Sequence, residues 1–194
     1  PYNNYTDHIA VTNSNLFSSN RATSLMESES GPRINYGFDW FLEHKDNFDL
    51  KMTVGQSRRF NKNNGDNAEE TSDIYLSSNL IIDNNKYFNN SIIIDKDNKD
   101  LKTNNANLLL ALNKFSLGID YDYNSGKYFT ASEQIRLGSK FEIAKNFEFN
   151  LNAAKNIDKN KNIGYQYGLL YENDCLGIDL NYYRDLTKDR DVEE

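Results

Sequence analysis

The residue types that do chemistry in enzymes are few in this chain, and they do not come together in the sequence. It has two histidines, His8 and His44, and one cysteine, Cys175. Neither histidine is placed with a serine or cysteine as a base with its nucleophile, and no glycine-rich phosphate loop is present. Both histidines stand in polar, loop-like surroundings, which disfavours a role as base or metal ligand. The sequence therefore predicts a protein that is not an enzyme and has no cofactor.

Carboxylates are the other candidates for chemistry. Asp189 and Asp191 could ligate a cation together with Glu193, but this spacing is unspecific and acids are common in loops. The charged run at 95–100 predicts a solvated loop rather than a ligand site. We therefore predict no catalytic, cofactor-binding or metal-binding residues.

In place of a catalytic constellation the sequence has a period-2 alternation. Between Arg33 and Glu43 every even-numbered residue is apolar, and all but one of the odd-numbered residues are polar or glycine. This pattern predicts a strand whose two faces meet different surroundings. Similar runs predict about ten strands and no helix. Because no segment between them is long enough for a parallel crossover, we predict an all-β fold of consecutive antiparallel, up-and-down strands.

Composition limits what can lie against the apolar rows. The chain has 194 residues, 38% of them hydrophobic, and a mean hydropathy of -0.80. No run approaches the roughly 20 apolar residues of a spanning helix, whereas a spanning strand needs only about 9–11 alternating residues. A helical membrane protein is excluded, and a membrane barrel is not. The net charge of -7, without basic clusters among aromatics, argues against a nucleic-acid partner.

The connections between the strands differ in length in a regular way. Those near residues 45, 84, 113, 145 and 173 are short, and those starting near 61, 95, 124, 158 and 186 are generally longer. Membrane barrels have short periplasmic turns and longer outer loops, whereas a soluble meander has no reason to sort its turns. The sorting favours a transmembrane β-barrel, present here as a partial wall, over a soluble sandwich or meander.

The alternation assigns side chains to two surroundings. The predicted lipid-facing residues are Ile34, Tyr36, Phe38, Trp40, Leu42, Leu117, Ile119, Leu137 and Phe141. The predicted lumen-facing residues are Asn35, Asp39, Asp120, Asp122, Arg136, Lys140 and Glu142. Glycines and acids in the polar rows suit a wet lumen, although the solvent face of a soluble sheet has the same composition.

The chain divides into two predicted regions. Residues 1–31 are rich in Asn, Ser and Thr without sustained alternation, which predicts a long polar loop. Residues 32–194 are predicted to form the barrel wall. The chain begins at Pro1 and ends within a charged stretch, so we expect both ends to be cuts in a longer protein.

Several short motifs stand in a specific order over nearly the whole chain. They are Asn15–Arg21, Gly31–Gly37, Val54–Ser57, Glu133–Ile135, Tyr171–Cys175, and Arg184 followed by Thr187–Glu193. In these motifs the chain resembles the C-terminal part of the barrel of LptD, the family of outer-membrane lipopolysaccharide-assembly proteins.

This resemblance implies a function and partners. Such a barrel has more strands than the ten predicted here, and it receives lipopolysaccharide from a periplasmic bridge through an N-terminal domain. An LptE-type lipoprotein plug fills it, and lipid leaves to the outer leaflet of the Gram-negative outer membrane through a seam between the first and last strands. The alternatives are another outer-membrane barrel, such as a porin or ligand transporter, and a soluble secreted β-domain for adhesion.

The resemblance also gives Cys175 a role. The family often has two adjacent cysteines at this place, which form disulfides with its N-terminal portion, and the periplasm permits such bonds. Here Leu176 follows Cys175, so the resemblance implies at most one such bond. The chain has no second cysteine, so the partner would lie outside it.

Overall fold

The computed structural model describes residues 32–44, 48–60, 71–83, 85–126 and 131–187. All its elements are strands: β1 Arg33–His44, β2 Phe48–Arg59, β3 Ile74–Ile82, β4 Lys86–Ile94, β5 Leu101–Leu112, β6 Phe115–Asn124, β7 Ser132–Ala144, β8 Phe147–Asn156, β9 Lys161–Glu172 and β10 Gly177–Asp185. No helix that could span a membrane occurs in these described segments. The loop predicted at 1–31 lies outside them.

The strands form one sheet in which sequence neighbours are also neighbours in space. The order runs from β1 to β10 without a crossover, and every pair is antiparallel. The predicted all-β, up-and-down architecture with ten strands is confirmed. In the described residues β1 and β10 each pair along one side only, so the sheet is open.

Connection lengths sort by sheet end, as predicted. One end, called the short-turn end, carries the connections 45–47, 83–85, 113–114, 145–146 and 173–176. The opposite long-loop end carries 60–73, 95–100, 125–131 and 157–160, the last of which is no longer than 173–176. Asp83 and Asn146 adopt positive φ angles of 51° and 71° in the tight turns, a conformation that Asn and Asp tolerate.

Two strands extend beyond the apolar rows of their sequence. β5 begins at Leu101, before the apolar row of Ala106, Leu108 and Leu110, because the asparagine-rich stretch ahead of that row pairs with β4, as in Ile92 with Asn104. Pairing overrides the weak strand propensity of Asn. His44, for which the sequence indicated polar, loop-like surroundings, ends β1, and its ring stacks on that of Phe48 with centroids 5.9 Å apart.

The sheet is a single layer with few buried apolar side chains. Among the described residues the buried hydrophobic side chains are Tyr75 and Ile93 alone, at 3% and 7% exposure. Buried polar residues are more numerous: Thr53, Ser57, Asp73, Lys102, Thr103 and Ser139. This distribution reverses that of a water-soluble domain, whose core is apolar.

Candidate functional site

One face of the sheet, called the polar face, carries the side chains predicted to face a lumen. Directly paired residues of antiparallel strands share a face, so the register decides the grouping. Pairs such as Asp120 with Arg136 and Glu142 with Glu148 link the strands along this face. The register places all seven predicted residues on it: Asn35, Asp39, Asp120, Asp122, Arg136, Lys140 and Glu142.

The centre of the polar face is a network of cross-strand hydrogen bonds and ion pairs. The Asn107 amide donates to Asp120 Oδ1, and the Arg136 guanidinium donates to Asp122 Oδ2. Arg136 Nε also lies 4.0 Å from Asp120 Oδ2. These side chains remain partly exposed, so each pair contributes only about 0–1 kcal/mol. The network gives the face a fixed pattern of charge rather than much stability.

Polar contacts continue toward β10. Lys140 Nζ lies 3.1 Å from Glu148 Oε1, and Gln166 donates to Asn181 Oδ1 at 3.1 Å. Asn181 in turn donates to Asp179 Oδ1 at 2.8 Å. The polar face is therefore a continuous hydrogen-bonding surface across β5 to β10.

Two hollows open on this face. The larger, about 760 Å³, lies at the short-turn end and is lined by residues that include Ser116, Lys140 and Glu142. The smaller, about 290 Å³, is lined by residues that include Asp120 and Arg136. Four of the predicted lumen-facing residues, Asp120, Arg136, Lys140 and Glu142, thus line concave surface.

Glycines leave room on the same face. Gly37 pairs with Gly55, and Gly118 pairs with Gly138. A Cβ on Gly37 would lie 2.5 Å from Val54 O. Alanine would not fit there without a shift, so backbones approach closely on this face.

The opposite face, called the apolar face, carries the side chains predicted to face lipid. The register groups all nine of them there: Ile34, Tyr36, Phe38, Trp40, Leu42, Leu117, Ile119, Leu137 and Phe141. Many stay uncovered; Phe38, for example, is 65% exposed. The same register continues the apolar rows through Leu169 and Leu180 in β9 and β10.

Aromatic rings gather toward the two ends of the apolar face. Near the short-turn end Phe115 meets Phe141 at 4.9 Å between centroids, and Phe147 meets Tyr171 at 4.7 Å. Tyrosines occupy the half nearer the long-loop end: Tyr36, Tyr121, Tyr123, Tyr165 and Tyr182. Aromatic girdles at both interfaces are typical of membrane barrels.

The apolar face has a polar interruption that the sequence predictions did not include. Asn90 and Ser78 pair in the middle of β3 and β4 on this face, and Asn90 donates to Asn104 Oδ1 at 2.7 Å. The bond between the two asparagines reduces the cost of placing amides on an apolar surface.

An ion cluster of Asp73, Asp95 and Lys102 joins three segments at the long-loop end; Asp73 and Lys102 are buried, and Asp95 is half-buried. Lys102 Nζ lies 2.5 Å from both Asp73 carboxylate oxygens and 2.6 Å from Asp95 Oδ2. The hydrogen bond from Lys102 holds the pKa of Asp95 well below its usual range, helped by the Asp97 backbone N–H. Asp95 is therefore charged at any ordinary pH. It is half-buried in the ion cluster, whereas residues 97–100 of the loop predicted to be solvated are exposed.

The sequence did contain a signal for this cluster. Asp73 precedes β3 and Asp95 follows β4, and Ile74 pairs with Ile94 in that hairpin. Correct pairing of the hairpin alone brings the two carboxylates together. Lys102 could not be placed in the same way, because an irregularity in the pairing of β4 with β5 lies between Ile93 and Ile94.

The remaining chemical candidates are dispersed. Cys175 is an exposed free thiol in the turn 173–176. In this turn the side-chain carbonyl of Asn173 accepts hydrogen bonds from the backbone N–H groups of Cys175 and Leu176. His8, Asp189, Asp191 and Glu193 lie outside the described residues. Within the described segments, no three His, Cys, Asp or Glu residues form a group suited to a metal ion.

No protein-family model matches the chain, and no curated protein matches it. The features that indicate a function are therefore the two faces of the sheet, its ends and the sequence motifs.

Proposed function

We propose that this chain is part of the wall of an outer-membrane β-barrel, with the apolar face against lipid and the polar face along an aqueous lumen. The observation that carries the proposal is the exposure of the apolar face. Large side chains such as Phe38, Leu180 and Ile143 are 62–65% exposed, and nothing in the described residues covers their face. A bilayer surrounds such a face with hydrocarbon and makes a second protein layer unnecessary.

Strand lengths and aromatic placement support the same proposal. The strands have 9 to 13 residues, and a tilted spanning strand needs about 9–11. The rings near both ends of the apolar face would lie at the two membrane interfaces. The short-turn end then corresponds to the periplasmic side and the long-loop end to the outside.

The outer edges of β1 and β10 require partners in such a setting. Unpaired backbone N–H and C=O groups in hydrocarbon cost several kcal/mol each, so an open sheet does not persist there. We infer that further strands of a larger protein close this wall into a barrel.

The substrate we propose is lipopolysaccharide, carried to the outer leaflet of a Gram-negative outer membrane. This part rests on the motifs that resemble the LptD family, and the polar face supplies a compatible lumen wall. A lipoprotein plug and a periplasmic bridge would be the partners. No residue transforms the substrate in this proposal; the wall guides it.

The solubility of the chain tests the proposal that its apolar face lies against lipid. Expressed alone in aqueous buffer, the chain should aggregate through its apolar face, and detergent or phospholipid should recover it. Sedimentation and chemical denaturation are the measurements. A monomer that is soluble and unfolds cooperatively without detergent would contradict the membrane proposal.

Depletion of the parent protein tests the substrate. An enzyme that modifies lipid A in the outer leaflet acts only on lipopolysaccharide that has reached the cell surface, so the amount of modified lipid A measures delivery. Depletion should reduce that amount. A porin or ligand transporter predicts unchanged lipopolysaccharide delivery and altered solute entry instead.

Non-reducing electrophoresis of the parent protein tests Cys175. A disulfide to a cysteine elsewhere in the protein, as the resemblance implies, should change mobility on reduction, and Cys175→Ser should abolish the change. Unchanged mobility with a labelled free thiol would remove the disulfide from the proposal.

A further inference from the structure

The smaller hollow of the polar face has an aromatic side chain on one side and a floor of small residues. Paired residues run across it from Gly118 in β6 through Gly138, Asn152 and Gln166 to Tyr183 in β10. All five line this hollow, which has a volume of about 290 Å³ and is called the tyrosine hollow. Because it lies on the face proposed to line the lumen, a ligand in the lumen would reach it.

Tyr183 forms the aromatic side of the tyrosine hollow. Its pairing with Gln166 places it on the polar face, although its neighbour Tyr182 belongs to the apolar face. Tyr183 is 64% exposed, and its hydroxyl oxygen would lie 3.7 Å from a Cβ built on Gly164 of the neighbouring strand. The side chain therefore extends over β9 and leaves much of its surface open to a ligand.

Small residues make the floor of the tyrosine hollow low. Gly118, Gly138 and Gly164 have no side chain, and Ala154, which pairs with Gly164, has only a methyl group. The Asn152 Oδ1 atom would lie 2.9 Å from a Cβ on Gly138, so this amide lies close to the Gly138 backbone. The concave shape thus results from the lack of larger side chains at these positions.

The charged groups of the tyrosine hollow balance each other. Among the described residues that line it, Asp120 and Arg136 are the charged ones, and their side chains are 45% and 50% exposed. An arginine has five N–H donors and a carboxylate has about four acceptor positions. Their contacts with Asn107, Asp122 and each other use only part of this capacity. Accessible donors and acceptors therefore remain for a ligand without net charge.

Two amide side chains of the tyrosine hollow are oriented by hydrogen bonds. The Asn152 amide donates to Gln166 Oε1 at 3.5 Å, and the Gln166 amide donates to Asn181 Oδ1 at 3.1 Å. A side-chain amide can donate two hydrogen bonds and accept two. These contacts therefore hold the amides in place and leave part of their hydrogen-bonding capacity for a ligand.

These features together define one class of ligand. We propose that the tyrosine hollow binds a single neutral sugar ring. The negative face of the Tyr183 ring attracts the C–H bonds of a sugar, and sugar hydroxyls both donate to Asp120 and accept from Arg136. The volume lies near the lower limit of about 300–1,000 Å³ for ligand sites, which suits one ring. This inference rests on the proposed function, in which the sugar belongs to the saccharide of lipopolysaccharide.

The larger hollow at the short-turn end lacks this combination. Its lining has an excess of negative charge, since four acids and two lysines contribute to it: Glu142, Glu148, Glu172, Asp174, Lys114 and Lys140. The aromatic residues in its lining, Phe115 and Phe147, belong to the apolar face. Within the described residues, an exposed ring and balanced polar groups come together in the tyrosine hollow instead.

Removal of the aromatic ring tests the site. Tyr183→Leu keeps an apolar side chain on β10, and Phe41→Leu is the matched control. Phe41 also lies on the polar face of an outer strand and is also 64% exposed, but it is not among the described residues that line the tyrosine hollow. The variants and the unmodified protein are prepared as the full parent protein in micelles of a detergent without a sugar headgroup.

The probe is the oligosaccharide released from lipopolysaccharide by mild acid hydrolysis and freed of phosphate with hydrogen fluoride, and calorimetry gives its affinity. We expect about tenfold weaker binding in Tyr183→Leu and unchanged binding in Phe41→Leu. Tyr183→Phe, which keeps the ring, should bind within about threefold of the unmodified protein. The urea midpoint of Tyr183→Leu should stay unchanged, because surface substitutions have little effect on stability.

Three results would overturn the sugar site. They are no oligosaccharide binding by the unmodified protein, equal affinity of Tyr183→Leu and the unmodified protein, and equal losses of affinity in Tyr183→Leu and Phe41→Leu. A loss in Tyr183→Phe as large as that in Tyr183→Leu would contradict stacking on the ring. Failure of the proposed function is seen separately, since it would give normal surface lipopolysaccharide after depletion of the parent protein.

Discussion

The two faces of this sheet differ in what they expose and what they bury. The apolar face leaves large side chains such as Phe38 and Trp40 uncovered, whereas the polar face buries small polar ones such as Thr53 and Ser57. In water this arrangement would be unfavourable, because apolar burial is the main driving force of folding. Under the membrane proposal, stability comes from lipid around the exposed apolar rows, together with polar anchoring between strands.

The largest expected effect tests the polar anchoring. Replacing Lys102 by Met should destabilise the reconstituted protein by about 3–5 kcal/mol, because it removes the buried cation that lies between the Asp73 and Asp95 carboxylates. Urea unfolding in phospholipid vesicles measures the change. Lys140→Met is the control: its ion pair with Glu148 is largely exposed, so about 0.2–1 kcal/mol is expected. Equal losses of unfolding free energy in Lys102→Met and Lys140→Met would show that burial does not make the Lys102 ion pairs stronger than an exposed pair.

Arginine substitutions at two adjacent residues of β1, one on each face, allow the two faces to be compared at the same proposed depth in the membrane. Phe38→Arg should cost about 2–4 kcal/mol in vesicles, the value for arginine on a lipid face near mid-bilayer. Asp39→Arg, on the polar face, should change the free energy of unfolding by roughly 0.5 kcal/mol or less. Similar costs for both substitutions would mean that the two faces share one solvent.

Glycine substitutions test close backbone approach on the polar face. A Cβ on Gly164 would lie 2.8 Å from Arg184 O, whereas one on Gly118 meets only Gly138 O at 3.9 Å. Gly164→Ala should therefore cost about 1–3 kcal/mol through overpacking. Gly118→Ala should be nearly neutral, and the difference between their urea midpoints is the measurement that decides.

The smallest expected effect is a pH dependence confined to the long-loop end. The ordinary pKa of Asp95 is 3.8, and the Lys102 ion pair lowers it in the folded protein. Its contribution to stability is complete above pH 3.8 and is lost as the pH falls from there toward the folded pKa. Hydrogen exchange of the 95–100 amides should accelerate in that range. If the exchange rate of the 95–100 amides relative to that of the 113–114 turn stayed unchanged over this pH range, the stabilising role of the Asp95 ion pair with Lys102 would be contradicted.

The sequence was sufficient for the strands and the composition of their faces. Alternation in Arg33–Glu43 predicted β1 and the grouping of Ile34 with Trp40, because the side-chain period of a strand is fixed at 2. The alternation could not predict which side chains bond to each other, such as Arg136 with Asp122. Such contacts depend on side-chain conformation and on irregularities of strand pairing, as between Glu142 and Ala144. The Lys102 ion cluster was missed for the same reason.

Trp40, the single tryptophan of the chain, gives the most direct test of the central claim that the apolar face contacts lipid. Its fluorescence should be quenched strongly by phospholipids with brominated acyl chains in reconstituted vesicles and only weakly by aqueous acrylamide. Strong quenching by acrylamide without quenching by brominated lipid would place this face in water and contradict the membrane proposal.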